Sequence, residues 1–151
     1  MTLDSFPASQ FIGTALVIDC TALCDGESIT MATLAPYGED VFRAEFLLFY
    51  TGYDRHWGTD AYFGDFPCID GEVLELILRG NYKGIGFDTI SLDPMESLAR
   101  HRLLFSEKNI LNIENLCNLG ALPRALVMFA CLPIKVKDSD GAPARAIAWE
   151  M

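Results

Sequence analysis

A chain of 151 residues has the length of one domain and can bury a core without disulfide staples. Apolar residues make up 51% and charged ones 21%, which excludes a disordered or collagen-like chain. With 11 Lys+Arg against 21 Asp+Glu, the net charge of −10 leaves no basic footprint for nucleic acid or an anionic membrane surface, and no apolar run approaches the roughly 18–20 residues of a membrane span.

In the N-terminal arm, Leu3, Phe6, Phe11 and Ile12 need cover, either from another copy of the chain or from their own domain. Thr14–Asp19 is short, aliphatic and preceded by Gly13, as a buried strand is. Ser28 is expected to open a short helix over Ile29–Leu34 that Pro36, Tyr37 and Gly38 end. Glu45–Tyr50 reads as the second strand. Asp70 is placed to cap a helix whose Val73, Leu74, Ile77 and Leu78 share a face, with Gly80 as its left-handed terminator. Gly84–Asp88 reads as the next strand, its Gly84 and Gly86 marking close backbone packing.

Asp93, Pro94 and Glu96 fit the N-cap, N1 and N3 positions of a further helix that Asn109 ends. Ile110–Glu114 and Ala125–Leu132 are expected strands, followed by a final pair, Ile134–Val136 and Arg145–Trp149, around a polar turn at 137–142. Helical crossovers followed by a terminal hairpin predict an α/β fold: a mixed β-sheet with flanking helices.

The five cysteines are an odd number with apolar neighbours, which fits reduced and mostly buried thiols. Cys20 and Cys24 lack C-x-x-C spacing, and no H-E-x-x-H, Gly-rich phosphate loop or G-x-S-x-G elbow occurs. No basic stretch followed by an apolar one opens the chain, so a cytoplasmic protein is expected.

Two histidines cannot make a three-His metal site. His101 shares a helix face with Leu98, Leu104 and Phe105, so its imidazole is expected to point inward. Glu114, at the end of the following strand, can converge on it. The pair reads either as divalent-metal ligands or as a structural hydrogen bond. The aromatic stretch after Tyr50 follows a strand end, where α/β sheets bind ligands. Tyr53 and Trp57 are therefore either a substrate-pocket wall or an aromatic loop packed on the domain.

Several stretches, in order, resemble the cyclase family of metal-dependent hydrolases. They are Phe11–Asp19, Leu47–Tyr53, Trp57-Gly-Thr with Tyr62-Phe-Gly, Gly84–Asp93, His101-Arg-Leu-Leu, Ile113–Leu119, and the tail Leu132-Pro-Ile-Lys with 140–146. The resemblance runs over almost the whole chain. It implies a swivelling β/β/α-type domain spanning residues 1–151. It also implies metal-dependent hydrolysis of an amide or lactam, arylformamidase-like, on substrates of the N-formylkynurenine type. By the same resemblance His101 and Glu114 match metal ligands, and zinc or manganese is the implied metal. The family's H-x-G-T-H-x-D-x-P-x-H signature precedes the segment matching Phe11–Asp19. Here only ten residues do, without a histidine.

The reading is thus an N-terminally truncated member, weak or inactive as this chain, with the metal not tightly held and the catalytic residues unassigned. The alternative is a non-catalytic pseudoenzyme or assembly domain of the same fold. The expected partners are a small-molecule substrate, if the chain is active, and further copies of itself in a homo-oligomer, dimer or tetramer. No nucleic acid or membrane is expected.

Overall fold

The computed structural model describes residues 2–151. Its centre is a six-stranded sheet built from β1 (Ile12–Asp19), β3 (Phe46–Tyr50), β5 (Gly84–Phe87), β6 (Leu111–Ile113), β7 (Val127–Pro133) and β8 (Ala144–Trp149). The spatial order is β6-β5-β3-β1-β7-β8. The first four in space run parallel; β7 and β8 are antiparallel additions at one side. A separate two-residue ladder joins β2 (Ser28–Ile29) to β4 (Cys68–Ile69).

Both faces of the parallel part are covered, which is why its strands read as continuous apolar runs. Strand alternation sends Leu16, Ile18, Leu47, Phe49, Ile85 and Phe87 to one face. There they meet Val73, Leu74 and Ile77 of α3 (Gly71–Arg79) and Leu104 of α4 (Ala99–Glu107). Ala15, Val17, Phe46 and Leu48 point the other way, against Leu116, Leu119, Val127 and Phe129. The N-terminal arm lies on this second face: Phe11 is buried, Leu3 and Phe6 pack against the cluster, and the Leu3 N–H donates to Ser139 O at 2.8 Å. The arm's apolar residues therefore find cover on their own domain.

The glycines of β5 set the spacing of the sheet. A Cβ on Gly84 would stand 2.9 Å from the Phe46 ring, and one on Gly86 2.7 Å from Leu116 and 2.8 Å from Leu48. Asp70 caps α3 as expected, accepting from Val73 N at 2.8 Å.

Four local expectations are corrected. Ser28 and Ile29 form β2; α1 (Met31–Leu34) starts after them, with a capping box made by Thr30 and Thr33. Gly80 is extended (φ −76°, ψ 179°); its missing Cβ makes room for the Tyr82 ring. The helix expected from Asp93 begins only at Ala99, because 94–98 form a turn. Ile134–Val136 is not a strand: β8 pairs with β7 instead, from Met128↔Trp149 to Pro133↔Ala144. Among the strands and α-helices, α2 (Asp40–Arg43) and β4 had no sequence expectation. No helix among the described residues is long and apolar enough to cross a membrane.

Candidate functional site

The loops at the carboxyl ends of β3, β5 and β6 converge, where open α/β sheets place their sites. Asp88 follows β5 and is fully buried. Its carboxylate accepts from Thr51 Oγ1 at 2.6 Å and from the backbone N–H groups of Thr51 (3.0 Å), Gly52 (2.6 Å) and Tyr53 (3.2 Å). Burial pushes its pKa up against these donors. Asp88 thus clasps the turn after β3; Gly52 there is left-handed, at φ 72°.

Asp93 is also fully buried. It accepts from the backbone N–H groups of Arg100 and His101, both at 3.1 Å. These are the second and third residues of α4, so Asp93 is a helix cap after all, reaching it from across the 94–98 turn. The same carboxylate takes Arg100 Nη1 at 3.2 Å and His101 Nδ1 at 2.9 Å. Burial alone raises its pKa; the His101 and Arg100 donors outweigh that and hold it below the usual carboxylate value.

With Nδ1–H given to Asp93, neutral His101 presents a lone pair at Nε2. Glu114 Oε1 stands 3.0 Å from that nitrogen. Glu114 is the first influence raising the His101 pKa; burial opposes it and Asp93 adds to it. Asn112 of β6, two residues before Glu114, which directly follows the strand, places Nδ2 2.9 Å from His101 Nε2 and 2.8 Å from Glu114 Oε1. Its Oδ1 is buried without a partner among the described residues.

This cluster borders a cleft of about 540 Å³ whose lining includes Asn112, Glu114, Cys117, Phe105 and Arg145. Tyr53 and Trp57 are not part of that wall. Tyr53 is buried (3% exposed) among Tyr62, Phe66 and Cys68, and its hydroxyl donates to Ala61 O at 3.1 Å. Trp57 is 66% exposed and meets the Tyr62 ring edge-on, centroids 5.1 Å apart. Tyr62, part of a matching stretch but not named there as a site residue, connects this aromatic group to the cleft by donating to Asn115 Oδ1 at 2.9 Å. All five cysteines are free. Cys20, Cys68 and Cys131 are buried, and burial pushes the thiols of Cys68 and Cys131 up to about 11; Cys24 and Cys117 are exposed.

This geometry has relatives. The cyclase family model matches residues 1–94. The kynurenine formamidase of Erythrobacter litoralis is 31% identical over 152 residues, covering 97% of this chain and 64% of its own. The chain therefore belongs to the cyclase family. Among solved structures, isatin hydrolase A from Labrenzia aggregata, bound to benzyl benzoate, superposes with a TM-score of 0.85 at 23% identity, over 97% of this chain and 64% of that one. The structure of a predicted metal-dependent hydrolase from Bacillus stearothermophilus gives 0.68 at 25% identity, over 93% and 64%. The chain thus spans just under two thirds of the length of these relatives.

The donor set fits part of a divalent-metal site. An imidazole nitrogen and a carboxylate oxygen converge, and Asp93 holds the other ring nitrogen, as the outer carboxylate of a metal-bound histidine does. No group of three or more His, Cys, Asp and Glu side chains suited to a metal occurs among the described residues.

Proposed function

We propose that this chain carries one side of the catalytic centre of a metal-dependent amide or lactam hydrolase, with His101 and Glu114 as metal ligands. The observation that carries the reading is the His101 imidazole held between two carboxylates, Asp93 at 2.9 Å and Glu114 at 3.0 Å, the second of which lines the cleft. Relatives described as kynurenine formamidase and as a metal-dependent hydrolase support it.

A divalent ion bound there, zinc or manganese, would act as a Lewis acid and acidify a bound water. The residues of the chain do the rest. Asp93 fixes the tautomer that leaves the His101 Nε2 lone pair free and raises its basicity. Glu114, partly exposed at the cleft wall, supplies an anionic oxygen and can take a proton from a nearby water. Arg145, on another part of that wall, brings positive charge toward an anionic substrate. The exposed face of Trp57 is available to an aromatic substrate ring at the periphery.

The test is hydrolysis of N-formylkynurenine and isatin by the 151-residue chain with added Mn2+ or Zn2+. The expected result is slow, metal-dependent turnover that His101→Ala and Glu114→Gln abolish. A rate equal to buffer in wild type and variants alike overturns the catalytic reading. The second reading, a non-catalytic module of the same fold, draws on the small donor set and then stands.

A further inference from the structure

The three polar atoms at the heart of the site pose a problem of hydrogen-bond chemistry. His101 Nε2, Glu114 Oε1 and Asn112 Nδ2 form a nearly equilateral triangle with sides of 3.0, 2.8 and 2.9 Å. When the imidazole is neutral and its Nδ1–H is committed to Asp93, both Nε2 and Oε1 are acceptors. Two acceptors this close repel unless something positive lies between them. In the cation-free chain the Asn112 NH2 group does this, sending one hydrogen to each. The arrangement leaves its carbonyl oxygen, Oδ1, buried and unpaired, an arrangement that proteins rarely keep without a use for it.

The two ends of a carboxamide are nearly equal in size. A half turn about the last side-chain bond therefore exchanges Oδ1 for Nδ2 without repacking the surroundings. After that turn, three lone-pair atoms face one point: a nitrogen, a carboxylate oxygen and an amide oxygen. Adjacent ligands of an octahedral ion held at about 2.1 Å lie roughly 3.0 Å apart, whereas tetrahedral neighbours at the same distance lie about 3.4 Å apart. The observed triangle matches one face of the octahedron. Hard oxygen donors with one imidazole suit Mn2+ or Mg2+ better than a thiolate-preferring ion.

We propose that Asn112 is the third side chain of this cation face. Its NH2 bridges His101 and Glu114 when the cation is absent, and its Oδ1 ligates the cation when it is present. The inference rests on the reading of His101 and Glu114 as metal ligands and adds to it a residue, a geometry and a preference for octahedral ions.

The experiment is Mn2+ titration of the full chain, followed by electron paramagnetic resonance of the free ion, in wild type, Asn112→Asp, Asn112→Ala and Glu114→Gln. Wild type is expected to bind, and Glu114→Gln to lose binding. Asn112→Asp, isosteric with a charged oxygen, is expected to tighten binding at least tenfold, and Asn112→Ala to weaken it at least tenfold. If Asn112→Asp and Asn112→Ala both bind like wild type while Glu114→Gln does not, Asn112 lies outside the face and the two-ligand reading survives. Failure of wild type to bind Mn2+ removes both. A measurement on wild type alone guards against misfolded variants. The side-chain NH2 resonances of Asn112 should shift when Mg2+ saturates the site and the amide turns, and a resonance that stays in place overturns the proposal.

Discussion

The two ends of the parallel strands hold polar networks of opposite character. At the amino end Glu45 and Lys83 pair at 2.7 Å. Glu45 accepts from Thr14 N at 2.9 Å, Lys83 donates to Ile12 O at 2.7 Å, and Gln10 donates to Lys83 O at 3.0 Å. One acid meets one base and both are partly exposed, so this end is a solvated latch between strands. At the carboxyl end Asp93 and Glu114 flank His101, Arg100 lies on Asp93, and Asp88 clasps the turn after β3. Two of these carboxylates are fully buried, and one amide oxygen is left over. The same sheet thus pairs its charges at the amino end and gathers carboxylates where the loops meet a cleft. An acidic excess with partial desolvation is what a cation site requires and what a purely structural latch avoids.

The largest effect should come from breaking the buried end. Asp93→Ala removes the α4 cap and strands the Arg100 and His101 donors, and should cost about 3–5 kcal/mol in urea denaturation. A cost below about 1 kcal/mol would place the two ends on the same footing. Between the ends, Gly86→Ala drives a methyl into Leu116 and Leu48 and should cost about 1–3 kcal/mol by overpacking, read from the same urea midpoint. At the amino end, Glu45→Ala should cost only about 0.5–1 kcal/mol and lose half of that in 1 M NaCl, since the pair is screened.

The subtlest separation is by pH. The His101 pKa is raised on folding, so the folded state holds that proton more tightly than the unfolded chain does. The stability this contributes is complete below the unfolded value near 6.5 and is lost as pH rises through the folded value. Asp93 is lowered, so its contribution is complete above the ordinary carboxylate range and is lost as pH falls through its folded value. Stability measured from pH 6 upward should therefore decline, and the decline should vanish in His101→Gln. A decline that persists there would assign it to another group.

The parts of the fold legible in the sequence were those fixed by local pattern. β1, β3 and β5 announce themselves as aliphatic runs, the Asp70 cap sits one residue before its helix, and the glycines of β5 mark close packing. His101 and Glu114 could be paired because a helix and the strand after it pack together. What escaped depends on contacts between distant residues. Ser28–Ile29 is a strand only because Cys68–Ile69 lies beside it. Gly80 does end its helix, but in an extended rather than a left-handed conformation, with the space of its Cβ taken by Tyr82. Asp88 gives no sign in sequence that three backbone amides from the turn after β3 will close on it. Asn112 was legible in principle, since it lies two residues before Glu114 and hence on its side, but without the positions of His101 and Oδ1 it reads as a polar side chain facing water.

The clasp at Asp93 has a consequence for how such a chain can change. Its bonds to Arg100 and His101 close a short ring of backbone around the 94–98 turn, and that turn borders a second cavity of about 250 Å³ that includes Pro94, Met95 and Glu96. Because both ends of the ring are pinned, the turn can be lengthened, shortened or rewritten while the imidazole keeps its place. The molecule thus owns an interchangeable cassette beside a fixed chemical part, a design in which new surfaces can be tried without wagering the ligand that the old chemistry depends on.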